Sequence, residues 1–332
     1  MPILLPHEVT NLHIHTLQGL HLYNSKNSHC CKQVRLALSL KHIEYISHDV
    51  DIESKNEHVE QEYLGINPRG LVPALVHDGK VIVETTDILL YIDKTFFGSS
   101  CAGSNTRLIP GDKHDHIVRL LKQIDELHMH VRTISVGRLL RSVQTSKAKG
   151  VQLGLLGAMK REQEATDTGP LTLGGLLESE VGGQNRLANL KFWRQLSQRD
   201  FSTEERARAY TALFSAFLLL EATLKETNYL LGSKENDALT MVDVAWWPVV
   251  GRFVHILKEE KKQQFRENVP CLWAWYKRLQ SKLEFQAEIE SDTLLVKMLV
   301  GYKRTINVSN WTAFVVFLGA IVLLWWMIKN DV

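Results

Sequence analysis

Cysteine is scarce in this chain: there are four in 332 residues, at Cys30, Cys31, Cys101 and Cys271. None forms a Cys-x-x-Cys pair, and Cys30 and Cys31 are immediate neighbours. That excludes a disulfide framework and a cysteine-based zinc site, and it fits a reducing, cytosolic compartment. An excess of charge is also missing. Lys and Arg number 39 against 37 Asp and Glu, a formal net charge of +2, so no nucleic-acid partner is expected. A secretory leader is absent as well. Residues 1–19 mix polar and apolar side chains, without a basic start and a long apolar core, and read as an N-terminal arm. Histidines come in pairs two apart: His13/His15, His114/His116 and His128/His130. Residues two apart do not share a helix face, so these read as solvated and no metal is expected.

What is present is a globular composition, 45% hydrophobic and 23% charged, long enough for two domains plus extras. The organising stretch is Ser25-Lys-Asn-Ser28-His-Cys30-Cys31-Lys-Gln-Val-Arg35. An apolar strand, Leu20–Tyr23, leads into it, and an apolar helical run, Val34–Leu40, leads out. A polar loop at a helix N-terminus can hold an anionic group, because free N–H groups and the helix dipole point there. The plain alternative is that the Ser28 hydroxyl caps the helix.

Further along, Glu44–Val50 reads as a short alternating strand and residues 51–62 as a charged connector or small helix. Asn67–Val76 is punctuated by Gly70, Pro68 and Pro73 at a strand entrance, with Val72-Pro73 a candidate cis peptide. Asp78-Gly79 between apolar runs predicts a hairpin. Glu84-Thr85-Thr86-Asp87 then opens a helix. Residues 20–97 therefore read as an α/β domain, and 98–110, with Gly98, Gly103 and Pro110, as a linker.

From 111 to 295 the pattern is all helical. His114–Ser142 carries one apolar face, and Ser202-Thr-Glu-Glu205 is a capping box opening a long helix. Thr240 and Asp243 form a second capping pair, ahead of Val244–Val250, which is apolar all round and so buried. Pro270 opens one more helix. Between these, about 145–200, glycines break the pattern into an irregular insertion whose leucines either pack on the surface or touch a membrane.

Residues 296–310 form a basic juxtamembrane segment, with Lys297, Lys303 and Arg304. Residues 311–328 follow without a single charge, with Trp311 at one end and Trp325 and Trp326 at the other. That length and flanking suit one transmembrane tail anchor with the bulk of the chain in the cytosol. Asn307 and Asn310 match the glycosylation pattern but on this topology stay unmodified.

These motifs together resemble the glutathione transferase superfamily. Ser28-His29-Cys30 is similar to the Ser-Ser-Cys of its zeta class, with Ser28 six residues after Leu22 as in the serine and cysteine classes. Asn67-Pro68…Val72-Pro73 resembles its cis-proline segment, and Glu84-Thr85 its acid–hydroxyl pair. Thr240–Asp243 resembles the capping box of its helical domain. The insertion and the anchor narrow the resemblance to the tail-anchored ganglioside-induced differentiation-associated proteins of the mitochondrial outer membrane. The resemblance implies a thioredoxin-like N-terminal domain and an all-α C-terminal domain. It implies glutathione as substrate or ligand, an electrophile as co-substrate, and room for a homodimer.

By that resemblance Ser28 stabilises the glutathione thiolate for conjugation, with Cys30 as the alternative catalytic residue in thiol–disulfide exchange. Val72, presented by Pro73, pairs with the cysteinyl backbone. Thr85 takes the γ-glutamyl carboxylate, and Glu84 contacts the ammonium. His29 and Thr85 depart from the zeta-class and superfamily patterns. The competing function is a glutathione-sensing regulator of mitochondrial membrane dynamics, weakly catalytic or not at all. An endoplasmic reticulum address is the alternative to the mitochondrial one.

Overall fold

The computed structural model describes residues 3–52, 57–97, 107–145, 202–232, 237–257 and 259–289. Met1–Gln286 form one compact unit; of the second, Ala287–Val332, only 287–289 are described.

The first layer is a four-stranded sheet. Its strands are β1 (Leu20–Asn24), β2 (Ile46–Asp49), β3 (Ala74–His77) and β4 (Lys80–Val83), in the order β2-β1-β3-β4. β1 and β2 run parallel and are joined through α1 (His29–Leu40), as a parallel pair requires a crossover. β1–β3 and β3–β4 are antiparallel. The β3–β4 turn is Asp78-Gly79, both with positive φ, the hairpin conformation that Asp-Gly favours. A short helix, α2 (Gln61–Leu64), precedes β3, and α3 (Thr85–Thr95) follows β4.

Alternation gives the sheet two buried faces. Leu22, Leu75 and Ile82 are register partners with no exposed surface on one face. Ala74, Val76, Val81 and Val83 line the other, packed with Val50, Tyr63 and Ile66. Three residues of the N-terminal arm, Leu4, Val9 and Ile14, belong to that same cluster. The arm is thus part of the core, while His13 and His15 on it are exposed.

The helical layer contains α4 (His114–Thr145), α5 (Thr203–Thr223), α6 (Met241–Ile256), α7 (Glu259–Asn268) and α8 (Pro270–Gln280). α4 packs on both α5 and α6, burying Ile117, Leu121, Ile124 and Val131. α6 is the central helix, with Trp246, Trp247, Val249, Val250 and Phe253 buried. Its start is densely hydrogen-bonded. The Asp243 carboxylate, with no exposed surface, accepts from the N–H groups of Leu230 and Thr240 (both 2.9 Å), the Thr240 hydroxyl (3.0 Å) and Trp275 Nε1 (2.8 Å). Burial pushes its carboxyl above the ordinary aspartate value.

α7 was not foreseen from the sequence. It is strongly polar and buries only Phe265, so it has no apolar period to read. No strand is present among the described residues after β4.

A buried ion pair joins the end of α1 to α3 and holds the chain as it enters the helical layer. Lys41 Nζ donates to Asp93 at 3.0 Å, and Asp93 also accepts from the N–H groups of Leu108 (2.9 Å) and Ile109 (3.2 Å). Helices α1 and α6 form a joint between the layers, where Gln33 Nε2 donates to the Ala245 carbonyl at 3.0 Å.

Among the described residues no helix is long and apolar enough to cross a membrane. The expected span at 311–328, the juxtamembrane segment at 296–310 and the insertion at about 145–200 fall essentially outside the described residues.

Candidate functional site

Sheet register brings three separate segments to one end. Tyr23 pairs with Ala74, and Ala74 with Val83. The loop after β1, the turn before β3 and the helix start after β4 therefore emerge side by side.

The first segment is 25–28. Ser28 is the N-cap of α1, and its Oγ accepts from the Cys31 N–H at 3.3 Å. That bond uses an oxygen lone pair and leaves the O–H to donate elsewhere. The loop is held from two sides. The Arg35 guanidinium donates to Asn24 Oδ1 (2.7 Å) and to the carbonyls of Ser25 (3.2 Å) and Lys26 (3.1 Å). Arg252, on α6, donates to the Asn27 carbonyl, so the helical domain fixes the loop that the sheet presents.

The two thiols differ. Cys31 is fully buried and takes the Ser25 N–H at 3.4 Å, a packing role. Cys30 is half-buried, with its Sγ 3.6 Å from Nε2 of the buried His29. Tyr23 lies on the sheet, stacked on His48 at 4.3 Å between ring centres. Burial, then Glu62, raise its hydroxyl above the ordinary tyrosine value.

The second segment is 67–73, and Val72–Pro73 is cis. Tyr63 Oη and Asn67 Nδ2 both donate to the Leu71 carbonyl at 2.7 Å, fixing the backbone just ahead of Val72. Gly70 has φ +61 and closes the turn, its N–H donating to the Asn67 carbonyl at 2.9 Å.

The third segment is the start of α3. Glu84 is its N-cap, with φ +66 and no side-chain cap, a strained setting for a residue with a Cβ. Without a cap, the first N–H groups of α3 are left for another partner. Thr85 is buried at this start. The Glu84 carboxylate is ion-paired through Oε1 with buried Arg69. Sequence reasoning missed a second acid here. Asp125, on α4, accepts from Thr86 Oγ1 at 2.8 Å. Asp125 is exposed as a residue, yet partial desolvation of its carboxyl, reinforced by Glu84, Asp87 and Glu126, pushes it up to about 6 against the opposing pull of the Thr86 bond. No local pattern marks it, because Thr86 and Asp125 are 39 residues apart.

Thr240 and Asp243 stand apart from this site, as the buried start of α6 described above. No group of three or more metal-ligating side chains occurs among the described residues.

Comparison with known proteins matches this geography. Residues 27–95 match the glutathione S-transferase N-terminal domain and residues 203–278 its C-terminal domain. Glutathione S-transferase 1 of Dianthus caryophyllus is 39% identical over 79 residues, 24% of this chain and 35% of that protein. Glutathione S-transferase Z1 of Arabidopsis thaliana is 33% identical over 101 residues, 30% of this chain and 42% of that protein. A probable maleylacetoacetate isomerase of Caenorhabditis elegans is 39% identical over 74 residues, 22% and 34% of the two chains. The match thus spans well under half the length of these relatives. Among solved structures, the β-etherase LigF of Sphingobium sp. strain SYK-6 superposes with a TM-score of 0.60 at 22% identity, covering 82% of this chain and all but 1% of that one. That likeness shows the fold. Within this chain, then, residues 27–95 and 203–278 are similar, in that order, to the N- and C-terminal domains of glutathione S-transferases.

Proposed function

We propose that this chain binds glutathione at the end of the sheet and uses it as a nucleophile toward an electrophile, with Ser28 holding the thiolate. The register that gathers the Ser28 loop, the Val72–Pro73 turn and the uncapped start of α3 is the observation that carries this reading. It gives one extended tripeptide three points of attachment. The Ser28 O–H donates to sulfur and favours the thiolate, the form that attacks. The Val72 backbone pairs with the cysteinyl unit as an added strand does. Thr85 and the N–H groups of α3 take the γ-glutamyl carboxylate. Glu84, which also holds Arg69, contacts the ammonium, and Asp125, bonded to Thr86 in the same helix turn, is a second acid for it.

Several relatives are named as zeta-class transferases or maleylacetoacetate isomerases. An electrophile with a double bond conjugated to a carbonyl is therefore the first to offer. The thiol gives its proton to solvent, the thiolate sulfur bonds to the β-carbon as the C=C π bond breaks and its electron pair moves onto the carbonyl oxygen, and the resulting enolate takes a proton back from solvent. Calorimetric titration of the purified full chain with glutathione tests binding, and conjugation by Ser28→Ala tests the role of the hydroxyl. Absence of binding at about 1 mM glutathione, a generous concentration for a specific site, sinks the reading. Unchanged turnover in Ser28→Ala removes Ser28 from it. The His29–Cys30 contact favours a second use of the site, in which Cys30 exchanges with glutathione disulfides. Loss of that exchange in Cys30→Ser, with conjugation intact, separates the two.

The same proposal includes a tail anchor at 311–328, the cytosolic face of the mitochondrial outer membrane or, alternatively, the endoplasmic reticulum, and assembly as a homodimer. It is the uncharged run bounded by tryptophans that supports the anchor. With an anchor, the glutathione-sensing regulatory role on mitochondrial dynamics is the alternative to turnover. A fluorescent fusion with and without residues 306–332 tests the anchor and the address. A diffuse full-length fusion ends both.

A further inference from the structure

Residues 3–17 precede both family matches and supply no group to the chemistry above, yet their placement is specific. Ile3 forms an antiparallel bridge with Ile82, and the Leu4 N–H donates to the Val81 carbonyl at 2.9 Å, so the arm extends the sheet beyond β4. Leu4, Val9 and Ile14 are buried with Tyr63 and Ile66, and Val72 packs partly against the same cluster. The Asn11 N–H then donates to the Gly65 carbonyl at 3.0 Å. A Cβ on Gly65 would stand 3.1 Å from Asn11 Cβ, Asn11 N and Thr10 Oγ1. Gly65 has φ −68, which any residue adopts, so it is the close approach of the arm that favours glycine there. The arm also abuts the hairpin: a Cβ on Gly79 would stand 2.7 Å from the His15 carbonyl oxygen.

Gly65 lies midway between Tyr63 and Asn67. These are the two residues whose side chains hold the Leu71 carbonyl, one residue before Val72. The arm therefore braces the segment that fixes the ligand turn. Small displacements of a positioning backbone are costly to recognition, and a turn already ordered spares the ligand that ordering cost.

We propose that residues 3–17 act as a positioning strap for the Leu71–Pro73 turn, with Asn11 against Gly65 as its point of action. This rests on the glutathione reading above. The test compares the full chain, Gly65→Ala and a chain lacking residues 2–17. Three quantities are read: glutathione Kd by calorimetry, the thermal midpoint, and the rate of tryptic cleavage at Arg69–Gly70. Arg69 is only 6% exposed, so that bond reports the turn without any ligand.

Gly65→Ala is expected to raise Kd about tenfold and to speed cleavage after Arg69 selectively, with kcat on bound glutathione within about twofold of the parent. Two results overturn the strap: Kd and cleavage both unchanged, or Kd, kcat and cleavage at every basic site shifting together with the thermal midpoint, as for a merely structural arm. A parent chain that binds no glutathione refutes the function proposed above. The Arg69 cleavage then still decides whether the arm holds the turn. If the deleted chain does not fold, Gly65→Ala alone carries the decision.

Discussion

Helices α1 and α6 both begin on a hydroxyl residue, but they use it in opposite ways. At α6, four donors converge on the Asp243 carboxylate, which no solvent reaches. At α1, Ser28 takes one N–H and keeps its own proton, and the start is half-exposed. α3 goes further, with no side-chain cap and a strained Glu84. α5 is the exposed counterpart of α6: Ser202 and Glu205 satisfy each other's N–H groups at 3.1 and 2.8 Å, in water. A saturated start holds the fold together. Capacity for a ligand remains where the fold has not used up its donors.

That contrast can be broken by substitution. Asp243→Ala is expected to cost about 3–5 kcal/mol, because it strands several buried donors at once. Chemical denaturation reads this, and a loss under about 1 kcal/mol would place α6 with the exposed starts. Ser28→Ala is expected to divide its effect the other way. Conjugation falls about a hundredfold, as when one donor to a developing anion is removed, while stability falls by about 1 kcal/mol, an ordinary cap. Equal losses in both would erase the distinction between α1 and α6.

The acid facing α3 gives a pH signature. With its carboxyl at about 6, Asp125 is ionised above that pH and attracts an ammonium; protonation below it removes the attraction. Glutathione affinity should fall about fivefold from pH 7 to 5, the scale of a partly exposed ion pair, and Asp125→Asn should flatten the curve. The stability sign is opposite. A carboxyl raised in the folded state holds its proton more tightly there than in the unfolded chain. Its contribution to stability is therefore present at low pH and is lost as pH rises through about 6. A pH-independent Kd in the parent chain removes Asp125 from the ammonium site. The smallest effect belongs to α5. Ser202→Ala should cost about 0.5 kcal/mol, since water replaces the lost bond at an exposed start. A loss as large as that for Asp243→Ala would show that burial is not what separates these helices.

Features set by neighbours in sequence were legible. The Asp78-Gly79 turn, the Ser202–Glu205 and Thr240–Asp243 pairs and the Val72–Pro73 turn each follow from a few adjacent residues. Ser28 could be read as a cap or as a ligand group; the structure shows the cap, with Oγ accepting from the Cys31 N–H, and donation by the same hydroxyl to sulfur belongs to the proposal above. Contacts between distant residues were not legible. Arg69 with Glu84, Thr86 with Asp125 and Arg252 with Asn27 join segments that only the fold brings together. The arm was hidden for another reason. Its buried residues, Leu4, Val9 and Ile14, recur every five positions, a period that matches neither helix nor strand.

Asp93 holds Lys41 with one oxygen and the backbone of Leu108 and Ile109 with both. The chain leaves the first domain and enters the second at this single buried carboxylate. The two ends of the connection are therefore pinned whatever its length, and lengthening a loop between fixed ends costs little. Asp93→Ala would therefore release both ends of the connection at once, so one substitution is expected to loosen the exit from the first domain and the entry to the second together.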